Sequence, residues 1–107
     1  MDQKIVKIAQ RYAEKVKETI PVRMVVLYGS YVSGTPHKDS DIDIAVIVDE
    51  FQGDYLTASA GLFGLARQVD LRIEPVLLST EHDKSGFLAH VVRQGKIVYK
   101  AHGRKTA

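Results

Sequence analysis

The chain contains no cysteine. Disulfides and thiolate metal sites are thereby excluded, and any metal must be held by oxygen or imidazole. No apolar run approaches the ~18 residues of a membrane span. The N-terminus is an amphipathic, mixed-charge segment rather than a signal peptide with an apolar centre. A cytoplasmic protein without membrane attachment is the expectation. Charge of one sign is also scarce. Lys and Arg number 15 against 13 Asp and Glu, a net charge of +2, too little to indicate a nucleic-acid partner. The basic excess gathers at the tail in Lys96, Lys100, Arg104 and Lys105, which reads as a frayed, solvated terminus. No repeat, low-complexity run or linker interrupts the chain. With 107 residues, 45% of them hydrophobic and 26% charged, one domain over 1–107 with one core is expected.

What is present is a regular alternation of helical and strand signals. Residues 2–19 carry the stripe Ile5, Ile8, Ala9, Tyr12 and Val16, and Pro21 stops that helix. Residues 22–28 are a nearly continuous apolar run, the mark of a buried strand. A short turn or helix beginning at Ser30 would close at Gly34. Residues 35–40 form a loop and 41–48 a second strand. Residues 54–68 read as a helix with Leu56, Ala60, Phe63 and Ala66 among its apolar positions, and the Gly61/Gly64 pair there suggests tight helix packing. A third strand is expected over 70–78, at an edge or bulge because of Pro75. A helix over 84–94 would bury Phe87, Leu88, Val91 and Val92, and a last strand spans 96–100. The result is an α/β (α+β) domain, a mixed sheet of about four strands with helices packed on it.

The most informative stretch joins the first two strands. Leu27-Tyr28-Gly29-Ser30 is followed, ten residues on, by Asp41-Ile42-Asp43. Alternation points Asp41 and Asp43 the same way, with Cα atoms about 6.6 Å apart. Two carboxylates so placed can share one metal, or clamp two metals about 4 Å apart. A hard divalent cation cancels their repulsion. Gly29 allows close backbone approach to a ligand, and the Ser30 hydroxyl can donate to phosphate oxygens. Phosphate and metal-binding carboxylates in one site imply metal-bridged phosphoryl or nucleotidyl chemistry. The third expected strand offers a third carboxylate in Glu74 or Asp70. Glu74 is preferred, because a charge mid-strand among apolar neighbours wants a partner or a metal. Asp70 stays open.

This arrangement of Gly29, Ser30, Asp41 and Asp43 resembles the signature of the DNA polymerase β-like nucleotidyltransferase superfamily. Length and the bare catalytic unit resemble its minimal nucleotidyltransferases. Arg72-Ile73-Glu74-Pro75-Val76 is similar to the third-carboxylate strand of some members; others place Asp in a Val-Asp-Leu setting, which Val69-Asp70-Leu71 also matches. The resemblance implies a palm-like fold. It implies Mg²⁺, two ions, held by Asp41, Asp43 and Glu74 on the triphosphate of ATP, with Gly29 and Ser30 on the β/γ-phosphates and Glu74 as base. It implies transfer of AMP to an acceptor hydroxyl, in some members a tyrosine of an all-helical HEPN-domain toxin that the nucleotidyltransferase neutralises. Larger relatives add a helical acceptor-binding domain. Here a partner protein or a homodimer is expected to supply that surface.

Other residues carry two readings. His37 and Lys38 sit between the motif halves and would touch phosphate or acceptor, or simply be solvated. Arg72 would bind phosphate, or pair with Glu74 or Asp70. Tyr28 reads as core, and Tyr31 as helix packing or a base-stacking ring. His82, His90 and His102 lack ligand spacing. Ser30 would donate to phosphate, or merely cap a turn. Two rival functions remain: a module that neutralises a helical partner by binding alone, and a small-molecule nucleotidyltransferase of the aminoglycoside type.

Overall fold

A computed structural model describes residues 2–34, 40–50 and 53–101. In chain order these form α1 (Gln3–Thr19), β1 (Met24–Tyr28), α2 (Ser30–Ser33), β2 (Ile42–Val48), α3 (Tyr55–Arg67), β3 (Ile73–Ser79), α4 (Phe87–Gln94) and β4 (Lys96–Lys100). The sheet order is β3-β2-β1-β4. β1 runs antiparallel to both neighbours, whereas β2 and β3 are parallel and joined through α3. The expected mixed α/β sheet of four strands is therefore the observed one. His37, Lys38, His102, Arg104 and Lys105 lie outside the described residues.

Alternation along each strand divides the sheet into two unequal faces. Val25, Leu27, Ile42, Ile44, Val46, Ile73 and Leu77 point to one side, where α1 and α3 cover them in one continuous core. α1 starts at Asp2, whose carboxylate accepts from the Lys4 backbone N–H, and contributes Ile5, Ala9, Tyr12 and Val16 to that core. Tyr12 is fully buried, and its hydroxyl donates to the Leu62 carbonyl oxygen of α3 at 2.8 Å. That bond satisfies a phenol that a dry core would otherwise penalise. On the opposite side Val26, Ala45 and Ile47 form a smaller cluster closed by Val91 of α4.

Several expectations need correcting. β3 begins at Ile73, not at residue 70, because Asp70 bends the chain: its carboxylate accepts from the Arg72 backbone N–H at 2.9 Å. α4 begins at Phe87 rather than 84. The Asp83 carboxylate accepts from the Leu88 and Ala89 N–H groups and sets that start. Of its four predicted inward residues, Val91 is buried whereas Phe87 is 39% exposed. In α3 the buried positions are Leu62 and Ala66, while Leu56 is 74% exposed and Ala60 also faces out. Gly61 and Gly64 face open space, so tight packing is not their role. Pro75 does lie on an edge strand, where its missing N–H interrupts no interior ladder.

Candidate active site

The second face carries the acidic residues. The β1–β2 register sets Tyr28 opposite Asp43, and the β2–β3 register sets Asp43 beside Glu74. Register partners side by side project to the same face, one strand spacing of about 4.8 Å apart. Tyr28, Asp43 and Glu74 thus form a row across three strands. Asp41, just before β2, is exposed and close enough to act electrostatically on Asp43. Burial, then Asp41, then Glu74 push the Asp43 carboxyl above its ordinary range. The same carboxylates, after burial, push the Tyr28 phenol up to about 12.

The turn after β1 is shaped around Asp43. Gly29 has φ 83° and ψ −153°, a conformation open essentially to glycine alone. A Cβ at this position would collide with Oδ2 of Asp43. The missing side chain is therefore what lets the carboxylate rest against the Gly-Ser backbone. Gly29, not Ser30, is the N-cap of α2, and no side chain caps that helix. The Ser30 hydroxyl has no hydrogen-bond partner among the described residues, so the capping reading of Ser30 does not hold. α2 closes at Gly34 in the left-handed conformation, whose N–H donates to the Ser30 carbonyl oxygen at 3.2 Å.

Glu74 and Asp70 part company. Glu74 is exposed as the second residue of β3, not buried mid-strand as expected, and it stands beside Asp43. Asp70 is engaged elsewhere: Arg72 donates to it from Nε at 3.1 Å and from Nη2 at 3.0 Å. Those guanidinium bonds, helped by the Arg72 backbone N–H and by Arg11 of α1, hold the Asp70 carboxyl below its ordinary range. Arg72 also meets the Tyr31 hydroxyl, while the Tyr31 ring packs on the α1/α3 core. The Asp70–Arg72 pair and Tyr31 therefore brace the opposite side of the sheet, and Arg72 pairs with Asp70 and not with Glu74.

No three carboxylates or imidazoles among the described residues stand close enough together to hold one ion as they are. In donor chemistry the set nevertheless fits a hard divalent cation. All donors are oxygens, their mutual repulsion is already expressed at Asp43, and neither Asp41 nor Glu74 is tied by a hydrogen bond or ion pair among the described residues.

Two contributors escaped the sequence reading. Tyr28 packs against the smaller cluster, in line with its core reading, but it also stands half-buried in the acidic row, which that reading does not include. Its parity with Met24 and Val26, opposite to Leu27, was the available signal. Phe87, His90 and Gln94 of α4 line a cavity with Tyr28, Gly29 and Ser30. Their helical spacing was visible, but the strand on which α4 packs was not.

The comparisons with known proteins agree with this geometry. Residues 3–103 match the family "Polymerase beta, Nucleotidyltransferase". A protein of Thermococcus cleftensis, "Protein adenylyltransferase MntA", is 31% identical over 105 residues, covering 91% of this chain and 93% of that protein. A solved toxin–antitoxin structure with AMP-PNP is 30% identical with a TM-score of 0.65, covering 87% of this chain and 74% of its own. A Sulfolobus solfataricus protein described as a nucleotidyltransferase shares the fold at 19% identity, with a TM-score of 0.67 over 91% of this chain and 81% of that one. No helix among the described residues is long and apolar enough to cross a membrane. With the glycine-serine turn, the acidic row and a family match along nearly its whole length, the chain belongs to the polymerase β-type nucleotidyltransferases.

Proposed function

We propose that the protein transfers AMP from ATP to a hydroxyl of a helical HEPN-type toxin partner, a tyrosine in the first instance, and thereby acts as an antitoxin in the cytoplasm. One observation carries the chemistry: the Asp43 carboxylate lies against the side-chain-free Gly29 with Glu74 as its strand neighbour. Acidic groups and a phosphate-accepting turn are thus one site. The adenylyltransferase named among the relatives supports AMP as the transferred group, and the toxin–antitoxin relative with AMP-PNP supports both the adenine nucleotide and a toxin partner.

Asp41, Asp43 and Glu74 would hold Mg²⁺, which when bound neutralises triphosphate charge and acidifies the attacking hydroxyl. The chain's own groups do the rest. Ser30 donates its free hydroxyl to the β/γ-phosphates, and the Gly29 backbone lets them approach. The acceptor oxygen attacks the α-phosphorus, its proton passes to Glu74, and the bond to the bridging oxygen breaks to release pyrophosphate. Glu74 suits the base because it is exposed toward an incoming acceptor, whereas Asp70 is locked to Arg72.

The test is transfer of label from α-labelled ATP to the purified partner. Wild type should label it, and Glu74→Gln should reduce labelling strongly while Asp70→Asn leaves it intact. Neutralisation that persists without any labelling would favour the binding-only module instead.

A further inference from the structure

The same face carries a groove of about 570 Å³ beside the Gly-Ser turn. Ser30 and Ser33 of α2 form one wall, Phe87, His90 and Gln94 of α4 the other, with Tyr28 between them. α4 is fixed over β1 at both ends. Phe87 meets the Tyr28 ring edge-on, with centroids 5.9 Å apart and planes at 80°. At the other end a Cβ on Gly95 would come within 2.5 Å of Val26 Cγ1 and 2.8 Å of the Leu27 carbonyl oxygen, so glycine alone permits so close a seat. Val91, fully buried, anchors the middle. Residues three and four apart share a helix face, so His90 and Gln94 are turned into the groove by the anchors Phe87 and Val91. Neither side chain has a hydrogen bond or ion pair among the described residues.

We infer that this groove receives the terminal phosphates of the nucleoside triphosphate and the pyrophosphate they become, with His90 and Gln94 donating to their oxygens. The inference rests on the proposed reaction and extends it to two residues that no sequence motif marks. Across the face the order is Glu74, Asp43, then Tyr28 with its Gly-Ser turn, then α4. With the reacting phosphorus at the carboxylates and the next phosphate at Ser30, the tail continues away from β3 and into the groove. As the α-phosphorus bonds to the acceptor oxygen, the electron pair of the broken bond goes to pyrophosphate. Donors already aimed at those oxygens stabilise that gain of charge. Among the described residues the groove lining holds no lysine or arginine.

Titration calorimetry in Mg²⁺ with ATP, pyrophosphate and AMP, on wild type, His90→Ala and Gln94→Ala, tests the assignment. Each substitution should weaken ATP and pyrophosphate about tenfold, leave AMP binding unchanged and leave the melting temperature unchanged, since both side chains are exposed. AMP weakened as much as ATP would assign the groove to the nucleoside and overturn the proposal. ATP binding that depends on Asp43 but on neither α4 residue would overturn it while sparing the proposed reaction. Wild type that binds none of the three probes would overturn both.

Discussion

The two faces of one sheet obey opposite rules. Under α1 and α3, Leu27, Ile42 and Ile44 are completely buried, and the fully buried phenol of Tyr12 is satisfied by a backbone carbonyl. Across the same strands, one residue away in sequence, Asp43 and Glu74 crowd like charges beside the half-covered Tyr28–Phe87 pair. The first face follows what burial rewards; the second keeps an arrangement that burial and charge both oppose. Strand alternation lets a single strand serve both. Ile42 and Ile44 hold β2 in place so that Asp43 between them can be poorly accommodated.

Substitutions on each side should separate stability from chemistry. The largest effect is expected from Asp41→Asn with Asp43→Asn, which should lower AMP transfer at least ~10³-fold. Melting temperature should hold or rise, because the repulsion at Asp43 is relieved. A fall of several degrees would mean that the carboxylates support the fold. Ile44→Ala, the neighbour pointing the other way, should do the reverse: a loss of about 3 kcal/mol in denaturant unfolding with little change in turnover per folded molecule. Gly29→Ala lies on the seam and should damage both, costing about 1–3 kcal/mol through its backbone conformation and displacing Asp43. Intact transfer in that variant would break the link between the glycine and the carboxylate.

The smallest effect sharpens the contrast through pH. Arg72 lowers the Asp70 carboxyl in the folded protein, so the pair stabilises the fold above the ordinary carboxylate range. That contribution is lost as pH falls through the depressed value. Asp70→Asn should therefore destabilise by at most ~1 kcal/mol near neutrality, the gap from wild type closing in acid. Asp43 runs the other way. Its carboxyl is raised, so its ionised form burdens the fold above that raised value, and the burden fades on acidification. Asp43→Asn should gain most over wild type near neutrality. Thermal melts from pH 7 down to about 3 would record the two opposite slopes.

Most of the architecture was legible because it rests on local periodicity. The stripe of α1, the apolar run of β1 and the glycine that closes α2 are written in consecutive residues. Element starts were less legible where a side chain redirects the chain, as Asp70 does before β3 and Asp83 before α4. The nearness of Gly29 and Asp41 to Asp43 was legible because a short turn and an alternating strand suffice to produce it. Preferring Glu74 to Asp70 relied on burial, which the exposed Glu74 does not have; what places it by Asp43 is a parallel register between strands 25 residues apart in no local pattern. The α4 wall was out of reach for the same reason. The seating of Gly95 on Val26 and Leu27, the Phe87–Tyr28 contact and the Val91–Val26 packing tell which strand the helix covers, and all three are tertiary.

The sheet ends on either side in strands ill-suited to recruiting another. On one margin Pro75 of β3 has no amide hydrogen to offer, and on the other Lys96 and Lys100 bracket β4 with exposed ammonium groups. Both devices discourage an open-ended ribbon built by successive chains. Under the proposed function, the surfaces left for a companion protein are the helical and acidic ones, where side chains rather than backbone ladders would set recognition.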